Sequence, residues 1–341
     1  MAARVGLVGL GHAIGSDEVK NSELAERLGL PGDWYLRRTG IETRRLAGPG
    51  EDVLSLAADA VRRALADAGL DPRDMGHETI LMHIQNGITH FAPPAGVVLA
   101  GELGLTRVRV VGLDGVCAEP IAALDLAVTM LLAGRCRRVI ISAAVDFLCA
   151  VDPDDRDTAG LFGAGAGAIV LSADPSSAPV TIGGLHWETR AEHWDMGLSP
   201  VHEVRPGTDG FTLHAGWYTM RGQSLYRVFL ELVPPAINRA LDQAGWAKQD
   251  VDLLVSHQPN PRQLELAIRR LDLDPEVMPM PGRRLGNMGP ASLLVNLSMA
   301  RDDGRLGAGS RVLLLAFGIG FSCGAVALQI EPTGTEPVDH G

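Results

Sequence analysis

The sequence predicts an α/β protein made of two similar halves packed tightly on one another. Three observations carry this expectation. Residues 63–74 (Arg-Ala-Leu-Ala-Asp-Ala-Gly-Leu-Asp-Pro-Arg-Asp) return in outline as residues 239–250 (Arg-Ala-Leu-Asp-Gln-Ala-Gly-Trp-Ala-Lys-Gln-Asp). A short apolar run follows each copy, Thr79-Ile-Leu-Met-His83 in the first and Asp252-Leu-Leu-Val-Ser-His257 in the second. Further on, Arg137-Arg-Val-Ile-Ile-Ser-Ala matches Ser310-Arg-Val-Leu-Leu-Leu-Ala, and the offset between copies stays within 173–176 residues.

Each matched piece has a physical reading. The first pair are the ends of amphipathic helices, closed by Gly69 and Gly245 as a helix C-terminus requires. The apolar runs have the character of strands buried on both faces. A repeat this long exceeds a solenoid unit and points to two α/β halves, 1–175 and 176–331, each a mixed sheet with helices on its faces. No Ser/Pro-rich linker separates them, so a site is expected where they meet. Residues 332–341 read as a frayed tail.

Composition narrows the function. Thirty Lys+Arg against 41 Asp+Glu leave a net charge of −11, which disfavours nucleic acid as a partner. Cys117, Cys136, Cys149 and Cys323 form no CxxC pair, and the ten histidines show no ligand spacing, so neither disulfides nor a metal is expected. No secretory leader is visible, and the charge-free stretch from Val312 to Leu328 is broken by Gly318, Gly320 and Gly324. It reads as two core strands joined by a glycine turn, not a membrane span. The expectation is a soluble, cytoplasmic protein with free thiols.

Three segments could carry chemistry. Cys117 follows an apolar strand (Val108 to Val111) and a glycine-containing turn, and precedes a helix from about Ala118 to Leu132. A helix N-terminus stabilises a thiolate; from local context, a nucleophile and a small buried hydrophobe fit equally well. Cys136 and Cys149, beside strands without such a turn, fit the second description. His257 closes the repeated strand in Val255-Ser-His-Gln-Pro-Asn260, at the strand end where α/β sheets place ligands. Asn287 lies in the glycine-rich turn Arg284-Leu-Gly-Asn-Met-Gly-Pro-Ala-Ser292, where it suits a turn or helix cap as well as a site.

Cys117, His257-Gln-Pro-Asn260 and Gly286-Asn287, in this order within a duplicated chain, resemble the thiolase superfamily and within it the β-ketoacyl-ACP synthase III branch. Asp33-Trp34-Tyr-Leu-Arg37-Arg38-Thr39-Gly40-Ile41, Asp152-Pro-Asp-Asp-Arg156, Leu161-Phe-Gly-Ala-Gly-Ala-Gly167 and Phe317-Gly-Ile-Gly-Phe321 are similar to further segments of that branch. The resemblance implies a five-layered αβαβα fold and a homodimer. It implies that Cys117 is acylated by a CoA or carrier-protein thioester, with no other cofactor, and that His257 and Asn287 hold the carbonyl of the second substrate. The amides of Cys117 and Ile319 would form the oxyanion hole. Trp34, Arg38, Thr39, Arg156 and Asn260 would hold CoA, and Tyr226 would line the pantetheine tunnel. The implied reaction is a decarboxylative condensation with a malonyl-type thioester, in fatty-acid, polyketide or antibiotic-type biosynthesis.

The chain departs from the branch at Glu119-Pro120, at Met288-Gly289-Pro290, at Ala164 and at Ile319, and the pocket-closing aromatic of His90-Phe91 is displaced by one residue. These changes are expected around the acyl pocket, where they bear on the substrate. The main rival is acyl transfer from Cys117 to a hydroxyl or amine. Two remoter ones are a non-catalytic partner subunit, disfavoured by the presence of Cys117, and a dinucleotide-binding protein suggested by Gly9-Leu-Gly11-His-Ala-Ile-Gly15. In the last, the third glycine is one residue late and Ser16-Asp-Glu-Val reads as a loop.

Overall fold

A computed structural model describes residues 3–174, 176 and 178–332. The tail read at 332–341 therefore lies, apart from Pro332, outside the described residues. Nine strands form one sheet: β1 (Ala3–Ile14), β2 (Thr79–Asn86), β3 (Arg109–Leu113), β4 (Arg138–Val145), β5 (Gly165–Ser172), β6 (Pro179–Thr189), β7 (Leu253–Ser256), β8 (Arg311–Gly318) and β9 (Ser322–Ile330). Their order is β7-β8-β9-β6-β1-β5-β4-β2-β3. Six helices cover it: α1 (Val53–Asp67), α2 (Ala95–Glu102), α3 (Glu119–Leu132), α4 (Gly222–Ala244), α5 (Pro261–Arg270) and α6 (Ala291–Asp302).

The two ends of the sheet are built alike. In one, β2 and β4 run parallel and β5 and β1 follow antiparallel. In the other, β7 and β8 run parallel and β9 and β6 follow antiparallel. The two ends join where Ala3–Gly6 of β1 pairs with Pro179–Ile182 of β6. The matched sequence segments fall on equivalent elements: the ends of α1 and α4, the strands β2 and β7, and the strands β4 and β8.

Period-two alternation explains the layers. Ile80, Met82 and Ile84 of β2, with Val312, Leu314 and Ala316 of β8, face a central core that also takes Ile121, Leu124 and Val128 of α3 and Leu293, Leu294 and Leu297 of α6. Leu81 faces the opposite way, onto α1 and α2. Leu313 and Leu315 face α4 and α5. The result is helix, sheet, helix, sheet, helix, with α3 and α6 in the middle. α3 is apolar around most of its circumference because sheet covers it on two sides.

Glycines set the tightest contacts. A Cβ on Gly9 or Gly11 of β1 would run into the backbone of α1 at Ala64 and Ala60, which accounts for the Gly9-Leu-Gly11 spacing as strand-on-helix packing with no role in binding a dinucleotide. Ser16–Val19, read as a loop, overlaps a short strand, Asp17–Lys20, paired with Thr43–Leu46. No helix of the described residues is long and apolar enough to cross a membrane.

The contact of β5 with α6 provides a test. A Cβ on Gly167 would lie 2.6 Å from Leu294 Cβ and from the Val295 nitrogen. Gly167→Ala should cost about 1–3 kcal/mol by overpacking, read as a lower urea midpoint at unchanged m-value. Gly101→Ala, in helix α2 with nothing within 4 Å of the new methyl, should leave the midpoint unchanged or raise it. Equal midpoints for wild type and Gly167→Ala would contradict the close packing.

Candidate active site

The site lies where the two halves of the sheet meet the middle layer. The strand β3 ends at Leu113, the chain turns through residues 114–118, and α3 starts at Glu119 with Ala118 as its cap, so Cys117 stands just ahead of the first helical turn. The end of β8 runs beside it: a Cβ on Gly318 would be 2.8 Å from Cys117 Cβ and 3.4 Å from its Sγ. Only glycine leaves the thiol its place. Ile319 then starts the turn into β9, where Gly320 has φ +120°, a region open to glycine alone.

His257 continues β7, and its N–H donates to the Leu315 carbonyl of β8 at 2.9 Å. Its ring stands 5.4 Å, centroid to centroid, from that of Phe317. Asn287 follows Gly286, whose φ is +76° and whose missing Cβ makes room for the Leu161 carbonyl. The Asn287 N–H donates to that carbonyl at 2.8 Å, and the Asn287 carbonyl accepts from the Gly163 N–H at 3.0 Å. The side-chain Oδ1 accepts the Gly289 N–H at 2.9 Å. With Oδ1 so engaged, the amide Nδ2–H is the group left for the cavity.

One cavity of about 670 Å³ joins these parts. Cys117, His257, Asn287, Ile319, Arg38, Thr39, Tyr226 and Asn260 all line it. Trp34 and Arg156 do not, but they stand at its mouth through Arg38: the Arg38 and Arg156 guanidinium carbons lie 4.5 and 5.3 Å from the centroid of the Trp34 indole. Two of the lining residues are already employed by the fold. The Thr39 hydroxyl donates to the Tyr35 carbonyl at 2.6 Å and accepts from the Ile41 N–H at 3.0 Å. Asn260 caps α5 by accepting from the Gln263 N–H at 3.0 Å, and its Nδ2 donates to the Arg38 carbonyl at 3.4 Å.

Burial governs the ionisation of the central pair. The Cys117 thiol is pushed up to about 12 by desolvation, and one backbone hydrogen bond only partly opposes it. The expectation of a thiolate stabilised by the helix N-terminus is thereby corrected, because the helix field does not repay removal of water from a charged sulfur. His257 is pulled down to about 3 by the same desolvation, which the Gly289 backbone partly offsets. Its Nδ1 is buried without a hydrogen-bond partner. Both shifts favour the uncharged forms, a thiol at Cys117 and a neutral ring at His257.

The matches to known proteins converge on one assignment. Residues 112–191 fit the family described as 3-oxoacyl-[acyl-carrier-protein (ACP)] synthase III, and residues 241–330 fit its C-terminal counterpart. The chain is 32% identical to the β-ketoacyl-[acyl-carrier-protein] synthase III of Brucella suis, over 94% of this chain and 98% of that one. It belongs to the β-ketoacyl-acyl-carrier-protein synthase III family. Among solved structures, the synthase III of Pseudomonas aeruginosa PAO1 superposes with a TM-score of 0.84 at 26% identity, covering 97% of this chain and 99% of that one. The priming β-ketosynthase of the R1128 polyketide pathway superposes at 0.83 and 27%, covering 96% and 97%. The fold is therefore thiolase-like and the protein is an acyltransferase of the ketosynthase III type. Synthases of this family need no cofactor beyond the thioester they consume.

Against this family the departures sort differently from expectation. Of the departing positions, only Gly289 and Ile319 line the cavity. Glu119 folds back over Gly115, half-buried and raised in pKa by desolvation and by Asp114. Met288 and Ala164 are buried in apolar clusters. Phe91 is 63% exposed and packs against Phe211, 5.1 Å away, outside the cavity. Cys149, expected to be buried, is exposed. Residues passed over in the sequence reading also line the wall: Asn86, Phe147, Gln263 and above all Tyr218. Burial above all raises the Tyr218 phenol.

A thiol held this way predicts its own reactivity. Iodoacetamide labelling of Cys117, followed by peptide mapping to separate it from exposed Cys149, should climb with pH through about 10 without levelling off. A plateau below about pH 8 would reveal a thiolate of low pKa and contradict the burial argument.

Proposed function

We propose that Cys117 is acylated by a CoA or carrier-protein thioester and that the acyl group is transferred by decarboxylative Claisen condensation to a malonyl-type thioester. The observation that carries this reading is the convergence, in one cavity, of the Cys117 thiol, the neutral His257 ring and the unengaged Nδ2–H of Asn287. Acylation joins Sγ to the thioester carbonyl, and the thiol proton ends on the departing CoA or pantetheine thiolate. The tetrahedral oxygen is held by the Cys117 and Ile319 amides. In the second half, the malonyl carboxylate leaves as CO2 and its electron pair becomes an enolate, whose oxygen is held by Asn287 Nδ2–H and an N–H of neutral His257. The enolate carbon attacks the acyl carbon, the C–S bond breaks, and Cys117 leaves as a thiolate that takes a proton from solvent to restore the thiol. A donor of this kind is typically worth about 2.7–4 kcal/mol. A histidine that resists protonation suits a donor better than a general base at neutral pH, which favours condensation over transfer to a hydroxyl or amine.

The indole of Trp34 with the guanidiniums of Arg38 and Arg156 makes a flat cationic platform for the nucleotide end of CoA, and Tyr226 lines the way inward. The reading includes a homodimer in the cytoplasm. The outer edge of β3 has no strand partner among the described residues, and Ile88 and Phe91 stand exposed; sedimentation as a monomer at micromolar concentration would reject the dimer. We also take 1–175 and 176–331 as the repeated units.

Intact-mass analysis after incubation with acetyl-CoA should show one acyl adduct that maps to Cys117 and is lost in Cys117→Ala. A full-yield adduct in that variant would overturn the nucleophile. Arg156→Ala should raise KM about tenfold for acyl-CoA while sparing a short acyl-pantetheine thioester. Equal losses on both donors would remove Arg156 from CoA binding.

A further inference from the structure

Tyr218 has no part in the reaction above, yet it lines the same cavity as Cys117. It is 6% exposed, in the irregular stretch before α4, and its N–H is fixed to the Ala150 carbonyl at 2.7 Å. Its ring stands edge-on to Phe147 and Phe162, with centroids 5.3 and 5.7 Å away. All three rings line the cavity that holds Cys117, backed by Ile41, Val151 and Leu161. Interlocked rings of this kind make a rigid wall on this side of the cavity.

The phenol oxygen is placed by a glycine. A Cβ on Gly197 would come 2.9 Å from Tyr218 Oη and would also strike Ile319 Cγ2. The absence of that Cβ therefore lets the hydroxyl sit beside Ile319, the residue next to the Gly318–Cys117 contact. No hydrogen bond ties this hydroxyl to another group of the described residues, and it is not among their sealed, unpaired polar atoms, so it opens onto the cavity that Tyr218 lines. A hydroxyl so placed is free to pair with an oxygen atom of whatever enters the cavity.

We propose that Tyr218 selects the acyl group, favouring a short acyl chain that carries a hydroxyl or carbonyl oxygen beyond its thioester carbon over a plain alkyl chain of the same length. The inference rests on the acyl-enzyme reading above. One neutral hydrogen bond supplies a preference of about three- to tenfold.

The test offers butyryl-CoA and 3-hydroxybutyryl-CoA together, in equal amounts, to the full-length protein and quantifies early adducts on Cys117 by mass. Wild type should carry the oxygenated adduct in about three- to tenfold excess. Tyr218→Phe, which keeps the ring and its packing, should bring the two adducts level. Tyr218→Leu, which removes the wall, should raise loading from hexanoyl-CoA relative to butyryl-CoA. Equal adducts in wild type, or an excess that survives in Tyr218→Phe, would overturn the role of Tyr218 while the butyryl adduct leaves the acyl-enzyme intact. Labelling of Cys117 by neither thioester would overturn the acyl-enzyme reading and this inference with it.

Discussion

The close approach of β8 to the start of α3 holds the site together. Gly318 and Cys117 come from opposite halves of the chain, and a single added Cβ would put them 2.8 Å apart. Because β8 is fixed there, β7 beside it delivers His257, whose N–H is tied to Leu315 of β8. Asn287 is tied in the other direction, through Leu161 and Gly163, to the first half. Each of the three groups is thus located by backbone hydrogen bonds or by steric exclusion. Rigid backbone is what a site needs to hold donors in place before charge develops.

Desolvation by the surrounding elements weighs most in the acid–base balance of the site. A helix N-terminus offers an anion about 0.3–1 kcal/mol, far less than the cost of stripping water from a thiolate. Cys117 stays a thiol, and His257 stays neutral for the same reason. In the proposed reaction charge appears only as thioester chemistry proceeds, on oxygen atoms that the amide and imidazole donors would hold. There a protonated His257 would quench the enolate by proton transfer, whereas a neutral ring would preserve its carbon nucleophilicity.

Periodicity and repetition made most of the architecture legible. The strand runs at 79–83 and 252–257 reappear as β2 and β7, and the glycines at 69 and 245 follow α1 and α4 as C-terminal caps would. Local motifs at strand ends and glycine turns singled out Cys117, His257 and Asn287 one at a time, and only the resemblance to the synthase family joined them in one site, where they line one cavity. What escaped depends on packing between distant segments. Tyr218 lies in a stretch without periodicity, so only its neighbours Phe147 and Phe162, more than 50 residues away in sequence, reveal it. Glu119 is next but one to Cys117 in sequence, but the turn of α3 directs it over Gly115. The thiol's acidity was misjudged because the helix terminus is a local feature, whereas desolvation comes from the whole surround.

A single-turnover experiment separates carbon–carbon bond formation from ester or amide formation. Enzyme acylated on Cys117 and freed of excess donor is mixed with malonyl thioester, and separately with candidate alcohols and amines, while CO2 and the bound acyl group are followed. Condensation yields one CO2 for each acyl group lost, with a β-ketoacyl thioester as product and no reaction with the alcohols or amines. Departure of the acyl group solely as an ester or amide, with malonyl thioester untouched, would contradict it.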